Sequence, residues 1–180
     1  MKIDSSFLFE EARICLSPNF SDREANDISL LVLHNISLPP GKFGGGYVEK
    51  FFLNELDSQE HPYFKEIDNL RVSSHLYIKR DGSITQFVPL DKKAWHAGIS
   101  SFKGRENCNE FSIGVELEGT DEVPYERAQY TSLIEITMFL MKQYPHLNKD
   151  NIVGHSDIAP ERKTDPGSSF DWDYYLSKLD

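Results

Sequence analysis

The segment GHSDIAPERKTDPG (154–167) concentrates ionisable side chains in a stretch whose Gly and Pro content predicts a loop. Taken alone, such a segment is best interpreted as a solvated surface loop. However, His155 and Asp165 in this segment, together with His34 at a distant strand end, supply two imidazole nitrogens and a carboxylate oxygen. These are ligand types that Zn²⁺ accepts, and three protein ligands leave one position open. The pattern therefore indicates a catalytic zinc site rather than a structural one.

Spacing does not establish this site by itself, because the chain has six histidines and the sequence alone does not show which of them lie close together. His61 and His146 each neighbour a proline in a polar segment, and we expect them at the surface. His75 opens a predicted strand, where a hydrogen-bonded core histidine is the preferred interpretation over a cleft residue. His96, next to Trp95, suits the wall of a cleft.

Two other metal interpretations are weaker. HSD (155–157) matches the start of an iron facial triad, but no histidine follows His155 to complete it. Cys15 and Cys108 form no CxxC pair, so they are expected to be reduced. We interpret each as a small buried side chain in preference to a zinc ligand.

Composition limits the partners of the chain. A length of 180 residues predicts a single domain spanning 1–180. The net charge of -10 disfavours nucleic acid and anionic membrane as partners. The N-terminal residues show no signal-peptide core, and the longest apolar runs are far too short to span a membrane. We therefore predict a cytoplasmic protein, with no obligate protein partner inferred.

Four segments have the composition of strands. ISLLVLH (28–34) and NIV (151–153) are short apolar runs that lead to His34 and His155. HLYIKRDGSITQFVPL (75–90) predicts a hairpin whose Asp81-Gly82 pair suits a type I′ turn. EFSIGVELEG (110–119) alternates in polarity. This last pattern places on one face Phe111, Ile113, Val115 and Leu117, and on the other Ser112, Gly114, Glu116 and Glu118. Gly114 is expected to leave room beside Glu116.

Two segments have helical periodicity. YVEKFFLNELDS (47–58) places four apolar side chains on one helical face, namely Val48, Phe51, Phe52 and Leu56. YERAQYTSLIEITMFLMKQY (125–144) lies between two prolines, and its predicted apolar stripe is Tyr130, Leu133, Ile134, Met138 and Met141. Helices interleaved with strands predict a mixed α/β or α+β fold.

Three long motifs resemble one protein family. LVLHNISLPPGKFGG, SSHLYIKRDGSITQFVPLDKKAWHAGISSFKGRENCNEFSIGVELEGT and VGHSDIAPERKTDPG are closely similar to the type 2 amidase and peptidoglycan-recognition family. The resemblance is strongest to its cytoplasmic members from Gram-negative bacteria, and it extends from about residue 10 nearly to the C-terminus. It implies a central mixed β-sheet flanked by helices, with a zinc site in a surface groove.

The resemblance also implies roles for individual residues. The zinc ligands match His34, His155 and Asp165, and the catalytic pair matches Glu116 and Lys163. The region that holds the muropeptide aligns with a further set, namely Asn35, Arg71, Trp95 and the backbone around Ala94. Asn107 stands where relatives often carry arginine, which puts one sugar or peptide contact in doubt.

The chemistry of these side chains agrees with the implied roles. Glu116 can act as general base for a water molecule, although an exposed strand carboxylate such as Glu118 is the simpler interpretation of its position. Lys163 can stabilise an oxyanion, unless it pairs with Asp165 or Glu161 at the surface.

An acidic protein needs cations to hold a substrate that carries carboxylates. Arg71, Lys163 and Arg105 can supply them, although each alone is more often a solubilising charge. Trp95 can stack on a sugar or fill the core, and its loop favours the groove. The glycine run 44–46 lacks the phosphate-loop pattern and is expected to let the backbone pass close to the metal or the substrate.

We therefore predict a zinc-dependent amidase that cleaves the bond between the lactyl group of 1,6-anhydro-N-acetylmuramic acid and L-alanine during peptidoglycan recycling. Two alternatives remain, namely a non-catalytic module that binds peptidoglycan fragments and a wall-lytic amidase that acts outside the cytoplasm.

Overall fold

The structure is a computed structural model that describes residues 1–24 and 27–179. Its strands are β1 (Arg13–Ile14), β2 (Phe20–Asp22), β3 (Leu30–Ile36), β4 (Leu76–Ile78), β5 (Ile84–Gln86), β6 (Lys92–Ala94), β7 (Ser101–Phe102), β8 (Arg105–Glu106), β9 (Ser112–Glu118) and β10 (Ile152–Gly154). Its α-helices are α1 (Tyr47–Phe52), α2 (Phe64–Ile67), α3 (Arg127–Gln143), α4 (His155–Ile158) and α5 (Trp172–Leu176). Short 3₁₀ helices span Cys108–Glu110 and Lys149–Asn151.

A mixed sheet of six strands forms the centre of the molecule, in the order β1-β5-β4-β9-β3-β10. The pair β4 and β5 is antiparallel, whereas β9 runs parallel to both β4 and β3, and β3 runs parallel to β10. Strand β3 is an apolar run because both of its faces are covered, and Leu30 through Leu33 have no exposed surface. The predicted mixed sheet flanked by helices is confirmed.

The register of the parallel strands brings the ionisable residues to one edge of the sheet. His34 near the end of β3 lies opposite Glu116 on β9, and Gly154 at the end of β10 lies opposite Leu33. His155 therefore begins directly beside the end of β3. The carboxyl ends of parallel strands are where α/β proteins bind ligands.

Helix α3 covers one face of the sheet. Its buried side chains Leu133, Ile136 and Leu140 belong to the same cluster as Leu31 and Val115 of the central strands. Burying each side chain of this size contributes roughly 1.5–3 kcal/mol. The opposite face of β3 packs on a second cluster that contains Leu30, Val32, Ala97, Cys108, Phe111 and Ile158.

The predicted stripe of α3 was partly wrong. Tyr130 and Leu133 are buried as predicted, but Met138 is 49% exposed. Ile136 and Leu140 are buried instead, because they lie on the same face of α3 as Leu133, and this face packs on the sheet. Ile134 and Met141 lie at the side of this face and are only partly buried.

Three further local predictions, for α1, Phe111 and the segment 155–158, need correction. Helix α1 ends at Phe52 rather than near 58, since Asn54 adopts a positive φ of 62°. Phe111 precedes β9 and packs with the second cluster rather than with Ile113. HSDI (155–158), predicted as loop, forms one helical turn in which the Asp157 carboxylate accepts the Gly154 N–H.

The β4–β5 hairpin forms as predicted, but its turn is not type I′. The Gly82 N–H donates to the Lys79 carbonyl, and Lys79 N–H donates to Ser83. Only Gly82 takes a positive φ, of 84°, so the loop has three residues with glycine at the left-handed position. A further residue therefore separates the strands, compared with the two-residue turn predicted from Asp81-Gly82.

Gly167 combines a left-handed backbone with a close contact, so its replacement by alanine is expected to destabilise the protein. Its φ is 83°, and a Cβ atom there would lie 2.1 Å from the Cα atom of Asp121. Gly104 provides the matched control, because its φ of 81° is similar and no atom lies within 4 Å of its added Cβ. We expect Gly104→Ala to cost about 1–2 kcal/mol from backbone strain alone. Gly167→Ala is expected to cost about 1–3 kcal/mol more in denaturant unfolding, since the loop must move. Equal losses for both variants would contradict this packing.

Candidate metal centre and groove

The structure brings together the three predicted metal ligands. His34 Nδ1 lies 2.9 Å from His155 Nδ1 and 3.0 Å from an oxygen of Asp165, and His155 Nδ1 lies 3.1 Å from the same oxygen. Both histidines are buried, and the Asp165 side chain is 14% exposed. In residues 1–24 and 27–179, these three side chains form the one group of three or more His, Cys, Asp or Glu residues whose arrangement can hold a metal ion.

The donor atoms fit a metal ion of zinc's size. Three atoms with lone pairs facing one point need a proton or a cation between them. Tetrahedral Zn²⁺ with nitrogen and oxygen ligands at about 2.0–2.1 Å would separate these ligands by about 3.3 Å, close to the observed 2.9–3.1 Å. The set of two imidazoles and one carboxylate is typical of catalytic zinc sites.

The remaining ring nitrogens of both histidines have partners. His155 Nε2 lies 3.1 Å from the Ala97 carbonyl oxygen, to which it can donate. His34 Nε2 lies 2.9 Å from His96 Nδ1. Partners of this kind fix the ring orientation and leave the other nitrogen free to bind metal.

Burial and hydrogen bonding set the protonation of the ligands. Burial lowers the pKa of His34 to about 4, against the opposing effect of Asp165. For Asp165, burial acts to raise the pKa, but the His155 and His34 rings at hydrogen-bond distance from its carboxylate outweigh burial, and the pKa lies below its ordinary value. Neutral imidazole and ionised carboxylate are the forms that bind metal.

The loop that carries Asp165 is fixed by backbone contacts. The Ser156 N–H donates to the Asp165 carbonyl at 3.0 Å. The next carbonyl, of Pro166, accepts from Asn35 Nδ2 at 3.1 Å and from the Tyr125 hydroxyl at 2.8 Å. Asn35 also donates to Asp121 at 2.8 Å. These bonds tie Asp165 to the residue that follows His34.

The three candidate ligands line a groove of about 870 Å³. Of the predicted site residues, those that line it are His34, Asn35, Trp95, Glu116, His155, Lys163 and Asp165. Apolar side chains of α1 and of the segment before β4 form one wall, including Phe51, Phe52, Leu70 and Val72. A groove with an apolar wall and a few convergent polar groups is typical of a small-ligand site.

Glu116 lies in this groove with an unsatisfied carboxylate. It is 9% exposed, and its Oε2 atom has no hydrogen-bond partner among the described residues. Burial, reinforced by the negative charge of Asp165, raises the pKa of Glu116 well above its ordinary value, against the opposing effect of Lys163. A carboxylate whose pKa is raised is a stronger base, so it accepts a proton more readily than an exposed carboxylate does.

Lys163 follows the α4 turn and lines the groove. Its backbone N–H donates to the Ala159 carbonyl at 3.0 Å. The alternative of a surface ion pair is not observed, because Lys163 forms no ion pair with Asp165 or Glu161 within the described part of the chain.

Trp95 reaches the groove with its ring anchored. Its indole N–H donates to the Ser21 hydroxyl at 3.0 Å, and its backbone N–H donates to Ser73 at 3.1 Å. Trp95 is only partly buried and lines the groove.

Three residues that were predicted to hold the substrate do not line the groove, namely Arg71, Ala94 and Arg105. Arg71 is exposed between Leu70 and Val72, and its guanidinium donates to the Asp68 and Leu70 carbonyls. Ala94 is fully buried in β6.

Arg105 lies in a different groove. Its guanidinium pairs with Asp27 at 3.0 Å and covers the Phe111 ring at 3.9 Å. That second groove, of about 650 Å³, also includes Phe102, Lys103 and His146. Asn107, the departure from the family pattern, adopts a positive φ of 58° directly before a 3₁₀ helix.

Sequence reasoning missed the contact between His96 and His34. His96 lines the groove wall as predicted, but its ring also occupies the space beside Gly114, where a Cβ atom would lie 2.6 Å from the His96 Cγ atom. The absence of a side chain at Gly114 thus makes room for His96 rather than for Glu116. A glycine in the middle of the alternating β9 segment is the sequence signal that could have indicated a large side chain packing against the strand at this position.

Glu118, predicted from the sequence to be an exposed strand carboxylate, is buried. It is 4% exposed and accepts backbone N–H groups from Gly44 at 2.5 Å and from Arg80 at 3.0 Å. The glycine run is therefore tied to the end of β9.

The interpretation of His75 as a core histidine is confirmed. It has no exposed surface, its Nδ1 accepts the Gly114 N–H at 3.0 Å, and its Nε2 lies 3.0 Å from the Lys92 carbonyl. Both cysteines have free thiols. Cys108 is buried as predicted, whereas Cys15 is only partly buried, contrary to the prediction.

The fold and a groove whose His34, His155 and Asp165 could hold a metal ion fit an amidase, and sequence comparison agrees. The family model of N-acetylmuramoyl-L-alanine amidase matches residues 24–168. The chain belongs to this family. The prediction of an amidase is confirmed.

Individual relatives are similar over nearly the whole chain. The 1,6-anhydro-N-acetylmuramyl-L-alanine amidase AmpD of Haemophilus influenzae is 56% identical over 173 residues, which cover 96% of this chain and 94% of the relative. AmpD of Escherichia coli is 55% identical, over 89% of this chain and 88% of the relative.

Solved structures agree with the fold. A crystal structure of a selenomethionine derivative of AmpD superposes with a TM-score of 0.96 at 51% identity, covering both chains fully. The E. coli amidase AmiD, in complex with the substrate anhydro-N-acetylmuramic acid-L-Ala-D-gamma-Glu-L-Lys, has a TM-score of 0.61 at 28% identity, over 89% of this chain and 65% of that one. Across the described residues, none of the helices has the length and apolarity to cross a membrane.

Proposed function

We propose that this chain is a zinc-dependent amidase that hydrolyses the bond between the lactyl group of 1,6-anhydro-N-acetylmuramic acid and the L-alanine of muropeptides. The observation that carries the proposal is the convergence of three ligand atoms, 2.9–3.1 Å apart, in the groove that contains the unpartnered carboxylate of Glu116. The names of the AmpD relatives support the choice of bond and sugar. We further propose that residues 1–180 act as one catalytic domain.

His34, His155 and Asp165 would hold the metal. When bound, Zn²⁺ supplies a Lewis acid that polarises the scissile carbonyl and lowers the pKa of water to about 7. The protein's own contribution is to lower the pKa of His34 by burial, to orient both imidazoles through the partners of their Nε2 atoms, and to bury the carboxylate beside them.

Glu116 is proposed as the general base. It lies opposite His34 in the sheet register, so both side chains project from the same edge into the groove. Its unpartnered oxygen can accept a proton from the attacking water and return it to the leaving amine of L-alanine.

Lys163 is proposed to stabilise the negative charge that develops on the carbonyl oxygen during attack. We expect Lys163→Met to lower kcat/KM by about 10²–10³, the usual effect of removing one oxyanion donor. Zinc content, measured by atomic absorption, is expected to remain at the wild-type level. Lys142, which is exposed on α3, provides the matched control variant Lys142→Met. Wild-type kinetics of Lys163→Met would contradict the role.

Substrate recognition is proposed to use the groove beside the metal. Trp95 would pack on the sugar or peptide, and Arg71 at the rim would pair with a peptide carboxylate after leaving its two carbonyl partners. The Asn35 amide already braces the Asp165 loop, so its contribution to substrate binding would be through its carbonyl oxygen. Backbone groups near Ala94 and the Arg105 side chain remain proposed contacts, and Arg105 would need to leave Asp27.

The proposed setting is peptidoglycan recycling in the cytoplasm, with a small muropeptide as substrate. A non-catalytic binding module is disfavoured, because such a module has no need of the third ligand that Asp165 supplies. A wall-lytic amidase outside the cytoplasm would use the same site.

The test is incubation of the purified protein with anhydromuropeptide, with and without a zinc chelator. Mass spectrometry is expected to detect free stem peptide only when zinc is present. Binding of the muropeptide without cleavage in zinc-replete buffer would contradict the proposal and favour the binding module.

A further inference from the structure

His96 connects a metal ligand to the central sheet. Its Nδ1 lies 2.9 Å from His34 Nε2, and its Nε2 lies 3.0 Å from the Ser112 hydroxyl on β9. The His34 and His96 rings meet edge to face, with centroids 5.0 Å apart and an interplanar angle of 82°. The His96 ring packs against Gly114, and a Cβ atom at position 114 would overlap with this ring.

These contacts specify where the protons lie. His34 Nδ1 faces His155 and Asp165, so it must carry a lone pair to bind a metal. The His34 proton then sits on Nε2 and is donated to His96 Nδ1. His96 must in turn carry its proton on Nε2, where the Ser112 hydroxyl can accept it. Each ring thus fixes the tautomer of the next.

The residue next to His96 serves the second histidine ligand. The Ala97 carbonyl lies 3.1 Å from His155 Nε2, so it accepts the proton of that ring. The carbonyl also accepts from Arg162 at 2.7 Å, which keeps the peptide turned toward the site. Both backbone N–H groups of this dipeptide donate to one oxygen, Asn109 Oδ1, at 3.1 and 2.8 Å. One clamped dipeptide therefore contacts both metal-binding imidazoles.

We propose that the His96–Ala97 dipeptide, clamped by Asn109, is the element that orients both imidazole ligands, with His96 as the positioning residue for His34. Most metal-binding histidines donate to a carboxylate, a backbone carbonyl or water. His34 donates instead to the Nδ1 atom of another imidazole, which supports the ring without placing a carboxylate beside it. This inference rests on the proposed metal site.

The test compares two replacements of His96 by zinc affinity, measured in competition with a chromophoric chelator. His96→Leu removes the acceptor, and we expect a zinc Kd about 10–100 times weaker, the usual effect of losing such a partner. His96→Asn retains an acceptor oxygen near the position of Nδ1, so it is expected to restore most of the affinity. The thermal midpoint of the metal-free protein is measured alongside, and a purely structural role would lower it equally in both variants.

Each outcome decides between the explanations. Wild-type zinc Kd in His96→Leu, or equal weakening in both variants, would overturn the positioning role. If His96→Leu does not fold, Ser112→Ala replaces it, since this variant removes the support of His96 without opening a large cavity, and an unchanged zinc Kd would then overturn the inference. Failure of the wild-type protein to bind zinc would instead refute the proposed metal site itself, so the two failures are distinguishable.

Discussion

The variant Asp165→Ala is expected to fold and to purify without zinc. Its carboxylate is the one acidic ligand in the proposed group, and one of its oxygens lies 3.0 and 3.1 Å from the two imidazole Nδ1 atoms. Removal of a supporting partner alone typically costs 10–100-fold in metal affinity, so loss of a ligand should cost more than about 100-fold. Without the metal, several kcal/mol of transition-state stabilisation are lost, which corresponds to a fall of about 10³ or more in kcat/KM.

Zinc content and amidase rate should fall together in this variant. Glu161→Ala is a suitable control, because Glu161 is an exposed carboxylate in the same loop. The control is expected to retain one zinc per chain and the wild-type rate. Full zinc content in Asp165→Ala would mean that the third ligand is a different residue.

The variant Glu116→Gln is expected to bind zinc normally and to lose most of its activity. An amide has nearly the shape of the carboxyl group but cannot accept the proton of the attacking water. We expect kcat/KM to fall by about 10²–10⁴, the usual contribution of a general base, with little change in KM. Because burial already disfavours the ionised form of Glu116, the neutral amide should not lower the thermal midpoint.

Separation of zinc content from turnover is what makes this variant informative. Glu106→Gln, at an exposed carboxylate on β8, controls for the change in net charge. A Glu116→Gln protein that cleaves anhydromuropeptide at the wild-type rate would exclude Glu116 as the base, while leaving the metal centre intact.

The central strands and the convergence of His34 with His155 were predictable because apolar runs of sequence identify the strands that carry them. The apolar run within 28–34 predicts a strand that is buried on both faces. The run ends at His34, where ionisable residues begin at the carboxyl edge of the sheet. His155 follows the next parallel strand in the sheet, so the register alone brings it beside His34. Asp165 was predicted from its ligand chemistry, and its position depends on loop contacts that periodicity does not encode.

Other features depend on tertiary contacts that a single sequence does not specify. Glu118 looked exposed from the alternation of β9, but Gly44 and Arg80 cover it with backbone N–H groups from distant segments. Likewise, the space beside Gly114 is filled by His96, which precedes it by 18 positions and approaches from another segment. Arg105 looked suited to bind substrate, but the fold directs it toward Asp27 and the ring of Phe111.

The direct measurement of the metal centre is anomalous X-ray diffraction from crystals grown with zinc, recorded on both sides of the zinc absorption edge. A single anomalous peak is expected about 2.0–2.2 Å from His34 Nδ1, His155 Nδ1 and one oxygen of Asp165, with a fourth position free of protein atoms. A peak elsewhere, or a fourth protein ligand that closes the site, would contradict the account.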